Sequence, residues 1–358
     1  MGAVLRRYHD IAGILRQATV IYLFSILMKR FIKRTILFFL PLAAIFATYI
    51  IFDPFRVLYP YTDYYKNTAV TLNRDYISTE IFLKNRVLHK YNAFIFGSSR
   101  TGAFRTDEWK KYLPRTAKPF VFAASCENLD GIHAKIKLID ELKDDFQNVL
   151  LILDTDYSFS ALPAGHLFVK HPRLTESSRL SFHLVYVKAY FTNFFFLRFL
   201  DYKINRQYRP YMGHLLINYP IEIDTVTNDF YLIEQESEQK NNPSEYYRKK
   251  RQFFYPRTTS DKIVAGNLID REAIHILKDI HRIFKKHQTK YKIVISPLYD
   301  QKALNKNDLS VLNEIFGDKN VFDYSGTNQY TETVHNYYEH IHYTTEVGND
   351  ILKTIYTD

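Results

Sequence analysis

Three residues from opposite ends of the chain have the side chains that acyl transfer needs. Ser99 sits in Gly97-Ser98-Ser99-Arg100, a turn that closes the apolar run Asn92–Gly97. A serine at the end of a buried strand, ahead of a helix, is placed as an exposed nucleophile, and its own backbone N–H is a donor for an oxyanion. The turn is not a G-x-S-x-G elbow, because Thr101 stands where the last glycine belongs. On its own, a serine-rich turn after a strand is also an ordinary helix cap. Near the other end, Tyr337-Tyr-Glu-His-Ile-His342 places Glu339 three residues before His342. A carboxylate at that spacing can hold the imidazole in one tautomer and support the imidazolium formed when the histidine takes a serine proton. Ser99 would then attack an acyl carbonyl, His342 would serve as general base and then acid, and Glu339 would orient it.

For these residues to meet, the elements between them must form one sheet. Short apolar runs predict strands at Asn92–Gly97, Pro119–Ala124, Asn148–Asp154, Tyr291–Pro297 and Asn320–Phe322. Helical spacing predicts helices at Ile77–His89, Asn128–Leu142, Asp270–His287, Leu304–Phe316 and Glu346–Tyr356. Buried strands alternating with helices are the pattern of a parallel sheet covered on both faces, an α/β/α sandwich. In such a sheet, ligands gather at the carboxyl ends of the strands, where Ser99, the Ala124–Asn128 turn and Asp154–Ser158 all fall. Residues 158–268 break the rhythm and read as a mainly helical insertion, a cap or docking surface. It contains an aromatic helix predicted over His183–Tyr202, a polar stretch Glu234–Ser244 and the basic run Arg248–Arg251. Phe195 and Phe199 within that helix are expected in the core, with a membrane-facing or partner-docking stripe as the sharper reading.

Thr35–Phe52 is 18 residues without a charge. At about 1.5 Å per residue it covers roughly 27 Å, close to the hydrocarbon thickness of a bilayer. Lys29, Arg30, Lys33 and Arg34 precede it, so the N-terminus is expected in the cytoplasm and the main domain outside. The run is long for a signal peptide and ends without a small-x-small cleavage site, which favours an uncleaved anchor in the inner membrane. Met28 reads as an ordinary start for such a protein, so residues 1–27 are expected to be an upstream over-reading rather than a surface helix or a second poor span. Residues 1–34 contribute +6 of the net charge of +10 across the 358 residues. The excess is therefore a topology signal, and no nucleic-acid partner is expected. Arg248-Lys-Lys-Arg251, flanked by aromatics, reads as a solvated loop or a contact for an anionic polymer or headgroup. The single cysteine, Cys126, excludes an intramolecular disulfide and any cysteine-based metal cluster; it reads as a structural thiol before a nucleophile. His335, His340 and His342, with Asp154 and Asp156, are the best case for a metal, but no second His or Cys cluster accompanies them. No metal and no cofactor are expected.

A Gly-x-Ser turn after the first strand, paired with a carboxylate-x-x-His before the C-terminal helix, resembles the SGNH (GDSL-like) hydrolases. The nearer resemblance is to their membrane-anchored DltD-like and alginate-acetylation-like branch, with Gly-Ser-Ser in place of Gly-Asp-Ser and a glycine at the start of the last helix, here Gly348. The resemblance covers roughly residues 90–157 and 265–356 and implies Ser99, His342 and Glu339 as the catalytic residues. Glu339 stands where that family has Asp. The second block lacks the usual glycine, so the oxyanion donors would be the backbone N–H groups of Ser99 and of Ser125 or Cys126. In the third block Asp156 stands where an asparagine donor is usual. The implied function is O-acyl transfer or ester hydrolysis, with acetyl as the expected acyl group, on a cell-envelope glycopolymer, beside a membrane-bound O-acyltransferase. The alternative is a catalytically inert scaffold that docks such an acyltransferase or polysaccharide export machinery. The expected organisation is a cytoplasmic segment 1–34, an anchor 35–52, a linker and lead-in helix 53–92, SGNH-like parts 93–157 and 269–358, and the insertion 158–268.

Overall fold

A computed structural model describes residues 2–217, 221–257 and 263–357, apart from the side chains of 2–19 and 214–215. The chain divides into two units, Met1–Asp53 and Pro54–Asp358. The first is a single helix, α1 (Gly2–Phe52), with Pro41 inside it. Its segment Val20–Phe52 is long and apolar enough to cross a membrane. It contains the uncharged run Thr35–Phe52, and the helix runs without a break through Lys29, Arg30, Lys33 and Arg34 ahead of that run.

The second unit opens with α2 (Arg74–His89), β1 (Ala93–Gly97), a 3-10 turn (Ser99–Ala103), α3 (Thr106–Lys110), β2 (Pro119–Ala123), α4 (Leu129–Glu141) and β3 (Asn148–Leu153). There follow α5 (Arg179–Phe191), α6 (Phe195–Asn205), the hairpin β4 (Glu222–Ile223) and β5 (Phe230–Tyr231), α7 (Ile233–Asn241) and α8 (Pro243–Lys250). The chain closes with α9 (Arg271–His287), β6 (Lys290–Ile295), α10 (Lys306–Phe316), β7 (Val321–Asp323), the hairpin β8 (Tyr337–Glu339) and β9 (His342–Tyr343), and α11 (Thr345–Thr357). Asn73, Asn128, Asp270 and Asn305 start α2, α4, α9 and α10, each accepting from the backbone N–H three residues on. Each such cap is worth about 1 kcal/mol.

Five strands form one parallel sheet in the order β2-β1-β3-β6-β7. Alternate side chains of β1, β2 and β3 face opposite ways. Ala93, Ile95, Val121, Leu150 and Ile152 pack with Trp109 of α3 and with Val347, Ile351 and Leu352 of α11. On the other face, Phe82 of α2 meets the rings of Phe94, Phe120 and Phe122. Phe146, just before β3, meets Phe94 and Phe284 of α9. Helices thus cover both faces, in a three-layer α/β/α arrangement. The strand order reverses between β1 and β3, so the crevice beyond their carboxyl ends is where such a sheet binds ligands.

The 158–268 stretch does more than cap. The Val121 N–H donates to Thr227 O (2.9 Å) and Asn228 Nδ2 donates to Val121 O (2.6 Å), so this segment covers the edge of β2. The aromatic segment is two helices, not one: Asn193 and Phe194 are left-handed (φ 51° and 53°) and break it between α5 and α6. Phe195 and Phe199 are buried, as expected of core positions, while Phe194 is exposed. The polar stretch is helical, since Glu, Gln and Lys are good helix formers and Pro243 sits at the first position of α8. Arg248 and Lys249 in the basic run pair with Glu245, and Lys250 lies over Tyr246 and Phe253.

Candidate active site

Gly97 ends β1 at φ +147°, and a Cβ there would stand 2.5 Å from the Ile152 carbonyl oxygen. Only glycine lets β1 lie this close to β3 at the point where the chain turns. Ser98 then caps the 3-10 turn and donates its hydroxyl to Asp154 Oδ2 (3.1 Å). This fixes Ser98 inward and leaves half-buried Ser99 on the outer side of the turn.

Ser99 Oγ lies 2.8 Å from His342 Nε2. His342 Nδ1 is bonded to Glu339 Oε1, and Glu339 Oε2 accepts from the Ile341 N–H (2.7 Å). Burial pushes the Glu339 carboxyl up, but the bonds from His342 and Ile341 outweigh it and hold the group below its usual range. It is therefore the ionised acceptor that keeps the proton on Nδ1, and the Nε2 lone pair faces the serine hydroxyl. The carboxylate and the histidine stand on the two strands of the β8–β9 hairpin. That hairpin is held from below by Tyr246 and Tyr247 of α8, whose hydroxyls donate to Tyr338 O (2.9 Å) and Tyr337 O (3.0 Å). Gly348 brings α11 against the serine turn: a Cβ there would stand 2.0 Å from Ala103 O.

Arg100 joins these parts, and sequence reasoning did not single it out. Its guanidinium is buried and pairs with Asp154 (2.7 Å) and Asp156 (2.8 Å), while Nε donates to Ile341 O (3.3 Å). Burial alone would push this group down, but the two carboxylates raise it and keep it charged. Asp156, read from the sequence as an acceptor where a donor is usual, is thus an anchor for Arg100. Asp154 Oδ1 also takes the N–H groups of Asp156 (3.0 Å) and Tyr157 (2.7 Å).

A cleft of about 220 Å³ opens beside the triad and is lined by Ser99, His342 and Ser125, by mainly apolar side chains and by Arg74. The Ser125 N–H makes no hydrogen bond to protein among the described residues, which leaves it available to an oxyanion. Cys126 does not line the cleft. It holds a left-handed backbone (φ 52°), and burial pushes its thiol up despite its hydrogen bond with Tyr157, so it is a protonated, structural side chain. Its neighbour Glu127 is buried and bonded to Lys135 of α4, which also pairs with Asp75 of α2 (3.0 Å). A lysine on the apolar face between Ile132 and Ile136 was the sequence signal for that network.

The three C-terminal histidines do not converge. The His335 carbonyl accepts from Tyr247, His340 Nδ1 donates to Phe253 O (2.7 Å), and both nitrogens of His342 are engaged within the triad. Among the described residues, no group of three or more metal-ligating side chains forms. No protein-family model matches the chain, and no curated protein matches it.

Proposed function

We propose that the chain is a membrane-anchored serine O-acyltransferase or esterase of SGNH type, with its α/β domain outside the cytoplasmic membrane. The observation that carries this is the continuous relay Ser99–His342–Glu339, built from segments 243 residues apart and opening on a cleft. Ser99 Oγ attacks an ester carbonyl as His342 Nε2 takes its proton. The N–H groups of Ser99 and Ser125 are the donors for the oxyanion. The alcohol leaves with the proton from His342, giving an acyl-Ser99. A hydroxyl of an envelope glycopolymer, or water, then attacks with His342 again as base, and the serine is regenerated. The basic residues before the apolar segment favour an N-terminus inside and the domain outside. A membrane-bound O-acyltransferase would supply the acyl donor.

The test is covalent labelling of the full chain with a fluorophosphonate, comparing wild type with Ser99→Ala and His342→Ala. Labelling of the wild type alone supports the reading. The inert scaffold is the second reading, favoured by a second block without glycine and by an Asp156 engaged with Arg100 instead of offering a donor. Labelling that ignores Ser99 would establish it in place of the enzyme.

A further inference from the structure

The cleft beside Ser99 is the wrong lining for a sugar. Val70, Leu72, Ile217 and Phe230 make its walls, and its volume of about 220 Å³ is far more than an acetyl group fills. A single water needs only roughly 10–15 Å³. Such walls suit the methylenes of a longer acyl chain. Among the described side chains lining the cleft, one is a permanent cation, and that is Arg74 at the start of α2.

Arg74 has no carboxylate within ion-pairing distance among the described residues, and its Nη1 is enclosed with no protein acceptor. Its sequence neighbour Asp75 is engaged elsewhere: Oδ2 with Lys135 Nζ (3.0 Å), Oδ1 with the His171 N–H (2.7 Å). The neighbours of the guanidinium are instead the Tyr65 phenol and the face of Phe230, 5.3 Å from Cζ. A cation set in an apolar wall without a counter-ion is stabilised when a ligand brings the anion. Phe230 also gives the direction. The same ring lies against Gly102, in the turn that carries Ser99, where an added Cβ would come within 3.3 Å of it. A chain leaving Ser99 along this ring arrives at Arg74.

We propose that the acyl group is a dicarboxylic half-ester: several methylenes along Phe230, and a terminal carboxylate bound by Arg74. This rests on the serine-acyl reading above and replaces acetyl as the group transferred. The covalent step is unchanged. Ser99 Oγ displaces the alcohol, which leaves with the proton from His342, and the distal carboxylate binds Arg74 without reacting.

Mono-p-nitrophenyl adipate and p-nitrophenyl hexanoate share a leaving group and a chain length and differ only in the terminal carboxylate. Their kcat/KM values are measured on the full chain in detergent, with Ser99→Ala as background. The wild type should prefer the adipate half-ester, and Arg74→Gln should lower the adipate-to-hexanoate ratio by about tenfold or more. Arg74→Lys, which keeps the charge, should retain part of the preference. Ser99-dependent hydrolysis of both esters without a preference overturns the Arg74 assignment alone. A preference that survives Arg74→Gln does the same, and would place the role of Arg74 elsewhere, for instance on an anionic polymer. No Ser99-dependent turnover of either ester, together with no fluorophosphonate labelling, overturns the serine chemistry and this proposal with it.

Discussion

Arg100→Met removes the side chain that binds Asp154, Asp156 and Ile341 O, while keeping most of the apolar volume. Asp154 is 1 % exposed and Arg100 3 %. Removing one partner of a buried ion pair costs about 3–5 kcal/mol, because the other charge stays behind in the interior. Asp154 retains Ser98 Oγ (3.1 Å) and the N–H groups of Asp156 (3.0 Å) and Tyr157 (2.7 Å) as donors, which places the loss near the lower end. The expected loss is about 3 kcal/mol. Adding Asp154→Asn removes the stranded charge, so the double variant should recover roughly 1–2 kcal/mol of that loss. The single tryptophan, Trp109, is fully buried and donates to Tyr356 Oη (2.9 Å), so its fluorescence reports unfolding of the α/β domain in urea. Arg100 also holds Ile341 O (3.3 Å), the residue between the hairpin strands that carry Glu339 and His342. Loosening that loop should slow fluorophosphonate labelling of Ser99 by about tenfold or more, equivalent to roughly 1.4 kcal/mol in the barrier. A stability loss below about 1 kcal/mol, or no gain from Asp154→Asn, would refute the claim that the guanidinium compensates a buried carboxylate. Unchanged labelling in a folded Arg100→Met protein would refute its role in placing the histidine.

Gly97→Ala should cost about 3 kcal/mol or more, because the new Cβ meets the Ile152 carbonyl oxygen at 2.5 Å and the backbone is at φ +147°. A urea midpoint close to wild type would show that β1 and β3 tolerate more separation there than the packing implies. His166 is pushed down to about 4 by burial. The unfolded chain binds a proton there below its ordinary value of 6.5 and the folded chain does not, so stability is full above that pH and is lost as the pH falls towards 4. Urea unfolding between these limits should show a steeper pH dependence for wild type than for His166→Gln. Equal slopes would contradict the assignment.

The sheet was legible because its strands are buried on both faces and so read as unbroken apolar runs, Phe94–Phe96 and Val149–Leu153 above all. The helices were legible where an asparagine or aspartate cap precedes a 3.6-residue apolar period, as at Asn128 and Asp270. The β8–β9 hairpin was not, because it is two and three residues long and bulged, too short for any alternation to register. The break at Asn193–Phe194 was hidden for a different reason: aromatic residues on both sides sustain a helical pattern through a backbone that is left-handed. The relay of Ser99, Glu339 and His342 followed from residue type and order alone. Arg100 and Arg74 did not, because what marks them is the loss of solvent or of a counter-ion, and a sequence does not display either.

That loss of solvent connects the two halves of the site. Glu127, Lys135 and Asp75 are each almost wholly enclosed, and ion pairs of this kind are poor sources of net stability, since an apolar replacement of the same shape is often neutral or better. Their positions offer another account. Glu127 lies two residues beyond Ser125, which lines the cleft. Asp75 directly follows Arg74, a cation that lines the cleft. Lys135 binds both carboxylates from α4, so the turn beside the nucleophile and the start of α2 are fixed to one ammonium group. A shift of either element would leave a charge unpaired in the interior, at a cost of several kcal/mol. The network therefore fixes the Ser125 turn relative to the start of α2, and on the proposed serine-acyl reading that spacing bears on how long an acyl group the cleft would accept.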